Sequence, residues 1–181
     1  MMRKFTSKLA GNDRGAAVIE MALVAPVFAL TVIGIVDMSN AYSRKLAAEQ
    51  GAQRAIEKIM QTTEMDTVAN TLKTEAVCQV NGLNTNGTCK TTPITTSDVT
   101  VTYRLECKNT TSGGIEAVYT TTDVTTHDNT DCPSPATQRE QRYLEVKVDD
   151  KYTPMFPIRF ASFTSADGTY HVSATAGMRT Q

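Results

Sequence analysis

The stretch AAVIEMALVAPVFALTVIGIV, residues 16–36, is apolar apart from one acid, Glu20. As a helix it would extend about 31 Å, which is the thickness of the hydrocarbon core of a bilayer. It is longer than the apolar part of a removable signal peptide, and no small-x-small cleavage site follows it. A core helix of a water-soluble domain would also show a polar face, which this stretch lacks. The sequence therefore predicts a transmembrane helix over residues 16–36.

The residues before this helix, 1–15, carry four basic side chains against one acid. Basic flanks of a membrane helix stay in the cytoplasm, so we expect the remainder of the chain to lie outside it. Pro26 removes one hydrogen bond within the helix and predicts a kink.

A helical pattern continues beyond the membrane segment. No proline occurs between Asp37 and Met60, and Gly51 is the only glycine there. A stripe of mostly small residues follows three- and four-residue steps, with Arg44 on another face. Its members are Ala41, Lys45, Ala48, Ala52, Ala55, Ile56 and Ile59. The pattern predicts an amphipathic helix over residues 37–75 that packs on its own domain, or that packs in addition against copies of itself.

Beyond Glu75 the period changes from helical to alternating. Apolar and polar residues alternate over four segments, which is typical of antiparallel strands with one buried face. The apolar members are Val99, Val101, Tyr103 and Leu105, then Ile115, Ala117 and Tyr119, then Leu144, Val146 and Val148, and last Tyr170, Val172, Ala174 and Ala176. Ser112-Gly113-Gly114 predicts a turn between the first two strands, and residues 121–138 a polar loop.

Four strands with one apolar face need a cover, and the helix after Asp37 can supply it. The sequence therefore predicts an α+β fold, with a long N-terminal helix packed on a roughly four-stranded antiparallel sheet. Residues 76–181 would form the β-rich extracytoplasmic domain.

All the cysteines lie after the apolar segment, at Cys78, Cys89, Cys107 and Cys132. An even number on one side of a membrane favours disulfides in an oxidising compartment. Four cysteines allow three pairings, and the ease of closing short loops favours Cys78–Cys89 and Cys107–Cys132. The alternative is a set of buried free thiols.

Signatures of enzymes are absent from the sequence, so we expect no catalytic residues, no cofactor and no metal. His127 and His171 are isolated in sequence and are interpreted as solvated surface residues. Asp149-Asp150 is interpreted as a turn at the end of a strand. Asp123, Asp128 and Asp131 in the predicted loop could hold calcium, but they lack the spacing of an EF-hand, so we expect no metal site there. A net charge of −1 gives no field that would attract nucleic acid.

Glu20 is the most informative side chain in the sequence. An acid at the centre of a membrane helix costs about 2.5–3.5 kcal/mol, so Glu20 needs a partner. Cleavage after Gly15 would create one, because the new amine of Ala16 would have a pKa of about 7.7–8.0 and be mostly protonated. That amine would lie one helical turn from Glu20 on the same chain, or beside it on a neighbouring chain. The alternative is a Glu20 that merely reaches the interface between membrane and water.

The basic leader, Gly15, the glutamate at the fifth following position and the apolar helix resemble the signal of type IV prepilins. The segment RGAAVIEMALVAPVFALTVIGIVDMSNAY, with Ala47-Ala48 and Ala52 after it, is similar to TadE-like pseudopilins of the tight-adherence (Tad) pilus system. The closing segments KYTPMFP and GTYHVSATAGMR resemble the same family. Met21 departs from the pattern, because an aromatic residue often follows the glutamate. Residues 78–141 match nothing in the family.

The resemblance implies a minor pilin or pseudopilin that prepilin peptidase cuts between Gly15 and Ala16. Its implied partners are that peptidase, other pilins and pseudopilins, the inner-membrane platform of the pilus system and membrane lipid. Its implied location is the bacterial inner membrane, with the C-terminal domain in the periplasm or on a pilus. Two alternatives are a membrane-tethered scaffold or binding module that never enters a filament, and an extracytoplasmic enzyme on a stalk.

Overall fold

One helix dominates the molecule. The computed structural model describes residues 13–61, 68–156 and 165–180, and its first element is helix α1, Asp13–Gln61. Pro26 lies inside α1 without ending it. The predicted leader, residues 1–15, lies mostly outside the described residues. The predicted transmembrane helix is therefore the first half of a longer continuous helix.

The remaining elements form a second helix and an antiparallel sheet. In chain order they are α2 (Val68–Asn81), a 3-10 turn (Thr96–Asp98), β1 (Val99–Asn109), β2 (Ile115–Thr121), α3 (Val124–Asp128), β3 (Gln138–Tyr152) and β4 (Tyr170–Arg179). The strands are ordered β2-β1-β3-β4, and every neighbouring pair is antiparallel. This arrangement confirms the predicted α+β fold.

The core lies between the sheet and the two long helices. Leu72 of α2, Ile94, and Val101, Val146 and Val148 of the sheet are all nearly inaccessible to solvent. Alternation places these strand valines on one face, and α1 and α2 cover that face. The predicted cover for the sheet is therefore real, but two helices supply it rather than one.

Small residues let the two helices approach closely. Ala48, Ala52 and Ala55 of α1 are completely buried, as the stripe predicted. A Cβ added to Gly51 would lie 2.6 Å from Val80 Cγ2 and 3.0 Å from the carbonyl oxygen of Ala76. The helices are thus too close at this point for any side chain on residue 51.

Two predictions about the helical region were wrong. The stripe was placed through Lys45, but the Lys45 side chain is 49% exposed beside Glu49, and Arg44 faces the sheet instead. The helical region was predicted to run from 37 to 75 and the β-rich domain to begin at 76. In the structure α1 ends at Gln61, and α2 continues to Asn81. The alternating segments that follow begin well after Glu75. The boundary between the helical region and the β-rich domain was therefore predicted too early in the chain.

The strand β2 lies at an edge that the helices do not cover. Ile115, Val118 and Tyr119 are 56%, 51% and 42% exposed, and Ala117 is half-buried. The predicted strand is present, but the predicted buried face is not, because α1 and α2 lie over the other three strands. The turn before β2 is present, with Gly113 at a φ of 71°.

The segment after β2 is more structured than the predicted loop. Asp123 caps α3 by accepting hydrogen bonds from the backbone N–H groups of Thr125 and Thr126. His127 was interpreted as solvated but is buried, with its ring 5.4 Å from that of Tyr103. Asp149-Asp150 was interpreted as a turn but lies within β3, where Asp150 is buried against Arg44.

Candidate functional site

The first half of α1 is exposed and apolar. Met21, Leu23 and Phe28 are 69%, 72% and 67% exposed, and none of the most apolar window of the helix is buried inside the structure. In length and composition this is the one described helix that can cross a membrane. Water is a poor solvent for such a surface, so lipid or another protein must cover it. The helix is thus compatible with a single-pass membrane anchor.

The predicted processing residues lie at the start of this exposed helix. Gly15, Ala16 and Glu20 all belong to α1, so Ala16 and Glu20 are one helical turn apart. The side chain of Glu20 is exposed, and it is followed by apolar side chains that are exposed as well. The helix therefore supplies the spacing that a pairing between a new Ala16 amine and Glu20 requires.

Asp37 marks the point where the exposed part of α1 meets the domain. Its side chain is 1% exposed, although it stands directly after the apolar stretch. Its Oδ1 accepts a hydrogen bond of 2.9 Å from the backbone N–H of Met155 and one of 3.3 Å from the hydroxyl of Tyr152. Among the described residues its Oδ2 has no hydrogen-bond partner. The carboxylate ties the segment after β3 to the helix.

Two further polar side chains on the same face of α1 reach the same region. The Nδ2 of Asn40 donates to the Sδ of Met155 at 3.4 Å, and the Nε of Arg44 lies 3.2 Å from the Oδ2 of Asp150. The side chain of Asp150 is 2% exposed, so this ion pair is largely removed from water. Asp37, Asn40 and Arg44 form what we call the junction strip.

Sequence reasoning missed the junction strip, although a signal for it was present. Asp37, Ala41, Arg44 and Ala48 are separated by four, three and four residues, which is the spacing of one helix face. The predicted stripe began at Ala41 and passed through Lys45 instead of Arg44, so it missed both charged members. Their partners lie more than one hundred residues later in the chain, and no local pattern shows such pairs.

Two tyrosine rings lie close to Asp37. The rings of Tyr152 and Tyr170 stack with their centroids 6.1 Å apart. The pKa of the Tyr170 hydroxyl is raised, first by loss of solvent and then by the negative charge of Asp37 and by Tyr152. The hydroxyl of Tyr170 thus loses its proton less readily than that of an ordinary tyrosine.

An apolar groove adjoins the junction strip. It has a volume of about 550 Å³ and runs between α1 and the first residues of β4. Ile35, Met38 and Tyr42 line one side of it, and Tyr170 and Val172 line the other. A second groove of similar size continues along α1 toward Val27. The exposed helix and the domain thus share one apolar surface.

The cysteines form two disulfides at a distance from the junction strip. Cys78 pairs with Cys89, and Cys107 with Cys132, as loop closure favoured. The first joins the end of α2 to the following loop, and the second joins β1 to the segment that contains α3. Because no described cysteine remains free, the domain is suited to an oxidising compartment.

Nothing in the described residues groups three or more His, Cys, Asp or Glu side chains as a metal site. Asp123 is occupied as a helix cap, and Asp131 lies 3.3 Å from Arg142. His171 is exposed and lies 2.8 Å from Asp167. The expectation that the chain is not an enzyme stays a prediction.

A comparison with protein families matches the N-terminal helix. A family model described as TadE-like protein covers residues 15–56, which begin at Gly15 and end inside the buried part of α1. The match spans less than a quarter of the 181-residue chain. No curated protein and no solved structure matched the chain. The predicted resemblance to TadE-like proteins is therefore confirmed for residues 15–56, and it indicates involvement in the Tad pilus system.

Proposed function

We propose that this chain is a minor pilin or pseudopilin that contributes to the assembly of a Tad pilus after prepilin peptidase cuts it between Gly15 and Ala16. The observation that carries the proposal is the match that begins at Gly15, on a helix whose apolar surface is exposed and holds a single acid. Cleavage there would leave 166 residues, with Ala16 as the new N-terminus.

Glu20 is the residue that would connect cleavage of the chain to its assembly. A negative Glu20 within the bilayer is tolerated when a positive charge lies beside it. The amine of Ala16 would become positive only after cleavage, and one helical turn would separate it from Glu20 on the same chain. In an assembly, the amine of an incoming subunit would pair with Glu20 of its neighbour. Processing and assembly would thereby be coupled through one charge pair.

The apolar surface of the exposed helix can be covered in two different environments. In the inner membrane, lipid would cover the apolar side chains between Ala17 and Val36. Outside the membrane the same surface would need protein, and helices of other pilins or pseudopilins are apolar partners of suitable length. The inner-membrane platform of the pilus system would transfer the subunit from one environment to the other, with the domain on the periplasmic side.

The intact mass of the full chain extracted from membranes tests the cleavage. In cells with an active prepilin peptidase we expect the mass of residues 16–181, and in cells without the peptidase the mass of residues 1–181. Gly15→Leu should block the cleavage, and the matched control Gly11→Leu should leave it unchanged. An uncut chain in cells with an active peptidase would show that the proposal is wrong.

A second experiment separates processing from assembly. Glu20→Gln should be cut normally, because the cleavage site is intact, but should fail to support pilus assembly. Glu57→Gln removes an exposed acid from the other end of the same helix and should support normal assembly. Normal piliation by Glu20→Gln would contradict the charge pair.

Immunolabelling of pili sheared from cells distinguishes a filament subunit from a scaffold. We expect the processed chain in the sheared fraction. If the processed chain remains entirely with the cells, it acts as a membrane-tethered scaffold of the pilus machinery that never enters a filament.

A further inference from the structure

We propose that β2 of one copy of this chain pairs with β4 of a second copy, so that the sheet continues from one subunit into the next. The inference rests on the proposed function in one respect, which is that copies of the chain come to stand side by side in an assembly. The paired copies would be displaced along their strands by about four residues, or ~14 Å.

The sheet ends in two strands that are suited to pairing. Among the described residues β2 and β4 each have one strand neighbour, so each presents one edge of backbone N–H and C=O groups. β2 has seven residues, no proline and no lysine, and its large apolar side chains are exposed. Soluble proteins usually protect such an edge with charge, proline or a cover. Within β2 the one charged side chain is Glu116, near the start of the strand, so the remainder of the edge lacks these devices and is open to a partner.

Strand direction identifies the partner. In a fully antiparallel sheet with the order β2-β1-β3-β4, the two edge strands run in opposite directions. When two copies point the same way, β2 of one and β4 of the other therefore meet as an antiparallel pair. Pairing of β2 with β2 about a twofold axis through the sheet would reverse one copy, and its α1 with it. Copies whose helices enter the same membrane cannot adopt that arrangement.

The faces of the strands restrict the register. Ala117 and Tyr119 of β2 lie on the helix-covered side of the sheet, because they pair with Cys107 and Leu105 of β1. On β4 the residues on that side are Ala174, Ala176 and Met178, which pair with the buried side of β3 or pack against the core. If the helix-covered side of the sheet continues from one copy into the next, Tyr119 must lie opposite one of these residues. Tyr119 opposite Ala176 places Ala117 opposite Met178, and apolar side chains then meet across the junction.

Charge favours the same register. β2 contains one acid, Glu116, and no base, whereas β4 contains His171 and Arg179 and no acid. With Tyr119 opposite Ala176, Glu116 lies opposite Arg179 on the outer side of the sheet. Opposite charges across a strand pair stabilise it modestly, and like charges would oppose it.

The register also fixes the relative height of the two copies. Within one copy Thr121 is level with Met178, because the two residues connect across the sheet through Tyr103 and Leu144. Copies at equal height would therefore overlap only at the last residues of β2 and β4. A shift of four residues brings residues 116–121 opposite residues 174–179. The pairing thus favours subunits that rise along an axis, as in a helical filament, over subunits level in a membrane.

Cross-linking through introduced cysteines tests the pairing. Thr120→Cys and Thr175→Cys are combined in one full-length chain, because both residues are exposed and would face each other across the junction. They cannot join within one chain, since they are three strand spacings apart, about 14 Å, and a disulfide needs Cα atoms within about 7 Å. Where copies stand side by side, the pairing should give cross-linked dimers and a ladder of higher oligomers of the processed chain, in the membrane fraction or in the sheared fraction. Each single-cysteine variant should give no ladder.

Two other variants report the competing arrangements. Thr120→Cys with Arg179→Cys would cross-link copies at equal height, and a ladder from this pair alone would overturn the displacement. Val118→Cys alone would cross-link two β2 strands about a twofold axis, and a strong dimer would overturn the choice of partner. A chain that is cut to the mass of residues 16–181 and supports normal piliation, but gives no cross-linked oligomers with Thr120→Cys and Thr175→Cys, would overturn the pairing and leave the proposed function intact.

Discussion

A single buried carboxylate connects the exposed helix to the domain. Asp37 accepts two hydrogen bonds from the segment that ends β3 and follows it. The helix that matches the TadE-like family model is therefore tied at this residue to a segment more than one hundred residues later in the chain. Burial of a charged group is costly unless hydrogen bonds satisfy it, so these contacts must form for the domain to close on the helix.

Asp37→Ala should destabilise the domain by about 1–3 kcal/mol, because the Met155 N–H and the Tyr152 hydroxyl lose their acceptor in a buried place. Thermal unfolding of the full chain in detergent micelles measures the change. Asp149→Ala removes an exposed acid from β3 and should change stability little. Equal melting temperatures for the Asp37 and Asp149 variants would contradict the role given to Asp37.

His127 should make the stability of the domain depend on pH. Burial, and secondly the positive charge of Arg142, lower the pKa of His127 below its ordinary value of 6.5. The unfolded chain then takes up a proton at a pH where the folded chain does not. The free energy of unfolding should therefore fall as the pH falls below 6.5, by up to about 1.4 kcal/mol per pH unit, until the folded pKa is reached.

Denaturant unfolding between pH 7 and pH 5 measures this dependence. In His127→Phe the ring can still pack on Tyr103 but cannot take up a proton, so the fall in stability should become smaller. His171→Gln removes the exposed histidine and serves as the control. An unchanged pH dependence in His127→Phe would show that His127 is not its source.

At the scale of the elements, the close packing of α1 on α2 depends on residues that lack bulk. Ala48, Ala52 and Ala55 bring the helix surfaces together, and Gly51 lies against the backbone of α2 at Ala76. Glycine is otherwise unfavourable inside a helix by about 1 kcal/mol. The close approach of the two helices explains why residue 51 is glycine.

Gly51→Ala should destabilise the domain although alanine is the better helix former. Overpacking costs about 1–3 kcal/mol, and the helix preference of alanine recovers about 1 kcal/mol of it. We expect a net loss on the order of 1 kcal/mol in thermal unfolding. Gly114→Ala is the control, because its added Cβ would meet only ordinary contacts. A more stable Gly51→Ala would mean that α2 can move away at little cost.

The long helix and the strands could be predicted from the sequence, but the contacts between the elements could not. The apolar run and the alternating strands were predicted because burial imposes periods of 3.6 and 2 on a sequence. The second helix was not predicted, because residues 37–75 were assigned to one continuous helical region, whereas α1 ends at Gln61 and α2 begins at Val68. The buried positions of Asp37, Asp150 and His127 could not be predicted, since each depends on a partner that is distant along the chain.

At the scale of the whole molecule, the disulfides and the basic leader predict the same orientation. Disulfides persist outside the cytoplasm, and basic flanks remain inside it. In spheroplasts, external protease should therefore remove a tag placed after Gln181 and leave a tag placed before Met1 intact. The experiment uses Gly15→Leu so that the leader stays attached. Protection of the C-terminal tag would contradict the orientation.

The junction strip also has a mechanical consequence. Asp37 and Arg44 hold α1 to β3 at two successive positions along its length, and the helix continues without a break into its exposed half. A force that pulls the exposed half of α1 along its axis acts on both attachments at the same time. It also acts on the packing of the buried alanines that follow them in the helix. The force is thus distributed over many contacts, and the domain moves with the helix as one rigid body.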